Sequence, residues 1–190
     1  MYCTLLSAAL LLPAADPVPN DVGVLPVGAH GKPLNLDFET GDLKDWTAEG
    51  AAFKGQPIKG DTVFPRRSDS RSRHQGQFWI GGYETLGDKP VGTLTSAPFR
   101  VTHPWASFLV GGGPHPTATC VEIVSGKDVL FRASGTEVED MYRVVIDLTK
   151  HQGKDIFIRI VDKGTGGWGH INFDDFRFHE KRPSFPDRPN

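Results

Sequence analysis

Gly164-Thr165-Gly166-Gly167-Trp168-Gly169-His170-Ile171-Asn172-Phe173-Asp174-Asp175-Phe176-Arg177-Phe178 is a glycine-rich loop that presents Trp168 and His170 and then runs into an alternating strand carrying adjacent carboxylates. Glycines let a loop turn tightly and let a ligand approach the backbone, so the stretch suits the rim of a β-sandwich that binds a ligand or an ion. Upstream, Leu34-Asn35-Leu36-Asp37-Phe38-Glu39-Thr40-Gly41-Asp42-Leu43-Lys44-Asp45-Trp46 has the same ingredients: a short apolar alternation, an acidic glycine turn and a large aromatic. If these first and last strands pair, their acidic groups meet.

The 190 residues give room for one domain with a core, and 22 glycines and 15 prolines punctuate the chain often. No window sustains a helical period of apolar residues. Strands are expected at 34–38, 78–83, 92–96, 105–111, 119–124, 129–133, 142–147, 156–161 and 171–178. The alternation is clearest where Ile156, Ile158 and Ile160 share a face. Ser125-Gly126-Lys127-Asp128 reads as a hairpin turn, and Gln152-Gly153-Lys154-Asp155 ends a short turn after Leu148. About nine strands at this spacing with almost no helix define an all-β chain, a two-sheet β-sandwich, with a jelly roll as the expected topology.

Thr4 to Leu12 is an apolar run of signal-peptide length and too short to span a bilayer, so residues 1–15 are expected to be a signal peptide and the protein secreted or periplasmic. No positive charge precedes that run. Residues 16–32 read as a linker, 33–179 as the binding domain, and the charged, proline-punctuated 180–190 as a disordered tail. Cys120 would then be the sole thiol of the mature chain, a buried strand residue with no disulfide partner. A formal charge of -2 argues against binding nucleic acid by phosphate neutralisation.

Gly92-Thr93-Leu94-Thr95-Ser96-Ala97-Pro98-Phe99, Phe108-Leu109-Val110-Gly111-Gly112-Gly113, Val144-Val145-Ile146-Asp147-Leu148 and Trp168-Gly169-His170-Ile171-Asn172-Phe173-Asp174-Asp175 together resemble the galactose-binding-like jelly-roll superfamily. The nearest look is to the fructan-binding modules of levanase-type glycosidases and to similar modules in exported, cytochrome-associated proteins. This resemblance, over about 34–178, implies a carbohydrate or polysaccharide as ligand and other exported enzymes or domains as partners. The same fold also hosts adhesion and purely structural domains. A protein-interaction module that binds no sugar is therefore the alternative reading.

A hard cation wants six to eight oxygens, and carboxylates beside glycine turns supply them. Glu39, with Asp42 past it, and the Asp174 and Asp175 pair fit that need. The resemblance implies a structural calcium held by Glu39 and Asp174 with backbone carbonyls. The plainer reading is that Asp174 and Asp175 cap a turn or pair with Arg177. For a sugar, Trp168 would be the stacking platform, and Arg66, Arg67, Glu84, His115 and His170 the polar partners. Gly112 lies in a run that lets a ligand approach backbone amides. Each residue also has a bland reading: Trp168 as core, His170 as a strand histidine, Glu84 as a hairpin residue.

The basic stretch Phe64 to His74 has no accompanying aromatic ladder, which leaves nucleic-acid stacking unsupported. It reads as a solvated loop whose arginines face the rim if it folds over. Glycoside hydrolysis needs two facing carboxylates, and nothing in the spacing of Glu39, Glu49, Glu84, Asp162, Asp174 and Asp175 singles out a pair. Neither a nucleophile elbow nor a zinc motif is present. The expectation is a binding module, not an enzyme.

Overall fold

The computed structural model describes residues 22–186, so the signal peptide expected over 1–15, the first part of the expected linker and the last four residues lie outside the described residues. Eleven strands run in the order β1 (Trp46–Gly50), β2 (Ile58–Lys59), β3 (Phe78–Gly81), β4 (Gly92–Ser96), β5 (Phe99–Arg100), β6 (Trp105–Gly112), β7 (Thr119–Ser125), β8 (Asp128–Ala133), β9 (Val138–Asp147), β10 (Asp155–Asp162) and β11 (Ile171–His179). The only helical pieces among the described residues are α1 (Val63–Arg66) and a 3-10 turn at Thr149–His151. None is long and apolar enough to cross a membrane.

All pairings between these strands are antiparallel. One sheet has the order β1-β4-β10-β7-β8 with β5 beside β10, and the other has the order β2-β3-β11-β6-β9. Together they form the expected all-β jelly-roll sandwich, with Ile156, Ile158 and Ile160 of β10 and Phe108 and Val110 of β6 buried between the layers. Ser125 sits opposite Asp128 across a two-residue turn, with Gly126 at φ 59°, so the expected hairpin forms. Cys120 is buried on β7, and burial pushes its thiol up to about 11.

Strand β11 changes parity halfway. Ile171 and Phe173 point into the core, and so do Phe176 and Phe178, which a strict period of two would send outward. The register explains it: Asp174 faces Leu109 and Arg177 faces Ser107, so Asp175 and Phe176 together oppose Phe108. One extra residue makes a β-bulge, with Asp175 at φ 52°. The central rings pack around this strand, with Phe173 at 5.6 Å from Phe108, 6.0 Å from Phe38 and 6.0 Å from Trp46. Losing such a buried ring costs about 3–5 kcal/mol.

The segment 34–38 is not the first strand. Leu34, Leu36 and Phe38 are buried, but they plug the sandwich as irregular chain, with Phe38 in the left-handed region at φ 58°. It still meets the last strand: the Phe176 N–H donates to the Leu36 carbonyl at 3.2 Å. Further upstream, within the stretch read as linker, Val24 and Phe178 exchange two backbone hydrogen bonds of 2.9 and 2.8 Å. Downstream, Pro183 is buried and the Phe185 ring lies 6.2 Å from His179.

Candidate functional site

One end of the sandwich gathers the close of β3, β6 and β10 and the start of β7, β9 and β11. Five of the sequence-derived binding residues, Arg66, Arg67, Glu84, Trp168 and His170, meet there, with Gly112 directly beneath. Arg66 ends α1 and Arg67 follows it, so the first two arginines of the basic stretch reach the rim. The Arg66 Nη2 donates to Glu84 Oε1 at 2.6 Å and to Glu139 Oε1 at 2.9 Å. Its guanidinium also lies 4.4 Å from the centre of the Tyr83 ring.

His170 is the inner floor of this cluster, buried to 2 % exposure. Its Nδ1 lies 2.7 Å from Asp88 Oδ1, and its Nε2 lies 3.5 Å from Glu139 Oε2, a contact too long for a hydrogen bond and so electrostatic. The Trp168 ring stacks on it at 5.6 Å with 30° between planes, Tyr83 lies at 5.3 Å, and the Arg67 guanidinium sits 5.5 Å from the Trp168 ring centre. Trp168 is half-buried and adopts φ 58°, a left-handed backbone that a tryptophan rarely takes.

Glycine is what lets the loop sit so close. Gly112 has φ 86°, and a Cβ there would meet the His170 carbonyl oxygen at 2.6 Å. At Gly113 a Cβ would stand 2.0 Å from the Trp168 carbonyl oxygen, and the Gly113 N–H donates to the His170 carbonyl at 2.8 Å. Strand β6 and the Trp168 loop are thus in backbone contact.

The buried charges hold one another. Burial alone would raise the Glu139 carboxyl, but His170 and then Arg66 hold it down at about 2. His170 is raised: burial opposes its charge, and Glu139 and Asp88 outweigh that. Asp162, at the end of β10, is 2 % exposed with Oδ1 unpartnered, and burial pushes it up to about 7 against the field of His170, with Asp88 adding. Asn172 completes the layer, donating to Glu139 Oε2 at 3.2 Å and accepting from the Gly82 N–H at 3.2 Å.

His115 stands apart on the β6–β7 turn. It is exposed, and its backbone carbonyl accepts from Ala118 and Thr119 at 3.0 and 2.7 Å. Tyr83, Asp88, Glu139 and Asn172 were not legible as site residues. Glu139 belongs to the first turns of β9, whose sequence Val138-Glu139-Asp140-Met141 lacks the apolar alternation seen from Tyr142 onward. The one available signal was the Asn172 parity, opposite to Ile171 and Phe173 on the same strand.

The two carboxylates of the expected metal site bracket the segment 75–78. Glu39 Oε1 accepts from the Gln77 and Phe78 N–H groups at 2.8 and 2.9 Å. Asp174 is fully buried, its Oδ2 accepts from the Gln75 N–H at 2.7 Å, and its Oδ1 has no partner. Its carboxyl is raised well above the usual range, first by burial and then by Asp175, despite the Gln75 bond. Asp175 pairs instead with Arg143 and Arg177. Among the described residues no group of three or more His, Cys, Asp or Glu side chains forms a metal cluster.

No family model matches the chain. A protein of Aspergillus rugulosus, ecdE, provisionally named a glycosyl hydrolase, is 31 % identical over 150 residues. The match covers 77 % of this chain and 21 % of the relative, so the chain spans about a fifth of that protein's length. Among solved structures, TmCBM61 in complex with β-1,4-galactotriose is 19 % identical with a TM-score of 0.47, covering 75 % of this chain and 93 % of that one. The K2 adhesin domain of Lys-gingipain is 16 % identical with a TM-score of 0.45, covering 75 % and 96 %. A family 35 carbohydrate-binding module from Clostridium thermocellum is 10 % identical with a TM-score of 0.36, covering 68 % and 95 %.

Proposed function

We propose that the chain is a non-catalytic carbohydrate-binding module that takes a sugar at the rim. The observation that carries this reading is the stack of Arg67, Trp168 and His170, an aromatic face flanked by a guanidinium at the mouth of a rigid sandwich. Sugars present apolar ring faces and paired hydroxyls, which such a platform and its guanidinium groups match. Both carboxylate contacts of Arg66 run through Nη2, and a partly exposed guanidinium with Nε and Nη1 outside those contacts supports a role as donor to hydroxyls. Glu84 and His170 hold that surface from below. A match to about a fifth of a much longer protein with a glycosyl hydrolase name agrees with a module carried beside an enzyme.

The relative's name also raises hydrolysis, which needs a general acid that is protonated near neutrality and reaches the substrate. Glu139 is held at about 2, and Asp162, although raised to about 7, is 2 % exposed, which favours binding over hydrolysis. Calorimetry against a panel of neutral and acidic oligosaccharides tests the reading. Heat from a saccharide that disappears in Trp168→Ala supports it, silence across the panel points to a structural or protein-interaction module, and released product points to a hydrolase.

A structural calcium between Glu39 and Asp174 belongs to the same proposal. What supports it is Asp174 Oδ1, a buried carboxylate oxygen without a partner, which is hard-oxygen chemistry suited to such an ion. The ion would pin β11 to the segment 75–78 and perform no reaction. A melting temperature that chelator leaves unchanged, with no metal in the purified protein, ends this part of the proposal.

A further inference from the structure

The outer face of the five-stranded sheet is roofed in two places. The segment carrying β2, α1 and the basic loop seals one part by packing Val63 against Trp79, Leu109 and Met141. The C-terminal segment covers another, with Phe185 beside His179 and under the Arg143 guanidinium at 5.0 Å. Between these roofs lies a cavity of about 670 Å³ bordered by Asp61, Arg71, Leu109, Met141, Arg143 and Phe185. Its size is that of a small-molecule site. None of the rim residues Arg66, Glu84, Trp168 and His170 borders it.

The acids of this cavity are already committed. Asp61 Oδ1 accepts from the backbone N–H groups of Val63, Phe64 and Ser72 at 3.1, 3.3 and 3.2 Å. Asp175 is held between Arg143 and Arg177, and Arg143 Nη1 donates to the Asp175 carbonyl at 2.8 Å. Arg71 is different. Its guanidinium lies 3.7 Å from the Phe64 ring centre, and among the described residues no carboxylate comes within ion-pair distance of it. Among the described residues it is an oriented cation without an ion-pair partner, on the border of the same cavity.

We propose that this cavity is a second ligand site, separate from the rim, and that it takes a carboxylate-bearing sugar, with Arg71 receiving the carboxylate and the partly exposed Phe185 ring bordering the sugar. A guanidinium and a carboxylate form the stronger kind of hydrogen bond, in a fork geometry that a neutral hydroxyl cannot reproduce. The site does not rest on the rim reading.

The test uses the full chain, with trigalacturonate as the acidic probe and β-1,4-galactotriose as its neutral counterpart, measured by calorimetry and by backbone amide shifts. Arg71 is exposed and forms no ion pair among the described residues, so Arg71→Gln keeps the fold, which the melting temperature verifies. The expected result is binding of trigalacturonate that shifts the amides of Leu109, Met141 and Arg143, weakens about tenfold or more in R71Q, stays within about twofold in W168A and falls with added salt. Four results overturn the proposal: no trigalacturonate binding at millimolar concentration, amide shifts confined to the rim, binding that survives R71Q, or binding lost in W168A. Galactotriose binding that is sensitive to W168A alone would leave the rim reading standing while this one fails.

Discussion

Glu122 on the six-stranded sheet and Glu139 on the five-stranded sheet are both strand carboxylates gripped by arginine, and they differ in where the grip comes from. Glu122 sits directly opposite Arg132 of β8 and Arg159 of β10, its neighbours in register. Those arginines lie on an open face, with side chains 38 and 37 % exposed. Glu139 is gripped by Arg66 from α1 and by His170, which ends the loop that leads into β11 of the same sheet. The first arrangement is ordinary cross-strand pairing. The second is tertiary, and it sinks charge into a place where each member needs the others.

The comparison breaks most visibly on substitution of the carboxylates themselves. Glu139→Gln leaves Arg66 and His170 with too little negative charge in a buried site, and we expect a loss of about 3–5 kcal/mol at pH 7 by chemical denaturation. Because Glu139 sits at about 2 when folded and has an ordinary value of 4.5, its contribution is present above 4.5 and is lost as pH falls toward 2. The gap between wild type and E139Q should therefore close at acid pH. A constant gap would show that packing and not charge sets the cost.

Asp162 works in the opposite sense. Its folded value of about 7 lies above the ordinary 3.8, so the folded state binds the extra proton between those limits and stability falls as pH rises through that window. At about 1.4 kcal/mol for each unit, the effect is bounded at about 4 kcal/mol. Asp162→Asn should flatten that stretch of the stability profile, and an unchanged profile would mean that Asp162 is not the group responsible. A smaller loss, about 2 kcal/mol, is expected for Gly112→Ala, which would force a Cβ against the His170 carbonyl at a left-handed position. Thermal melts check it, together with a change in Trp168 fluorescence. The least effect belongs to Glu122→Gln, about 1 kcal/mol or less by the same denaturation, because water still reaches the two arginines it would leave behind. Equal costs at Glu122 and Glu139 would erase the distinction between the two faces.

This contrast also separates what the chain's letters disclose from what they hide. The Ile156, Ile158, Ile160 alternation and the Ser125-Gly126-Lys127-Asp128 turn mark β10 and the β7–β8 hairpin because both signals are local. Trp168, His170 and the arginine pair stood out as unusual residue types in glycine-rich or basic surroundings. The partners that give them a setting, Tyr83 and Asp88 from the β3–β4 connection and Glu139 from β9, are commonplace residues, and only the fold brings them together. The stretch 34–38 misleads for a related reason: its alternating Leu34, Leu36 and Phe38 are buried as a strand's would be, yet no neighbouring strand supplies a ladder. Strands β1, β2 and β5 are too short or too polar to announce themselves.

The extra residue in β11 has an effect on how this protein can change over generations. Removing Asp174 or Asp175 would take out the extra residue and leave a plain zigzag in which Phe176 and Phe178 still face the core, so the bulge marks a place where the strand absorbs a change in length. Elsewhere in a strand of this sandwich a one-residue change flips every side chain that follows. Growth and shrinkage of the chain are thereby steered to this bulge and to the turns, and the turns shape the mouth of the sandwich, so that mouth can be remodelled while the frame is copied unaltered.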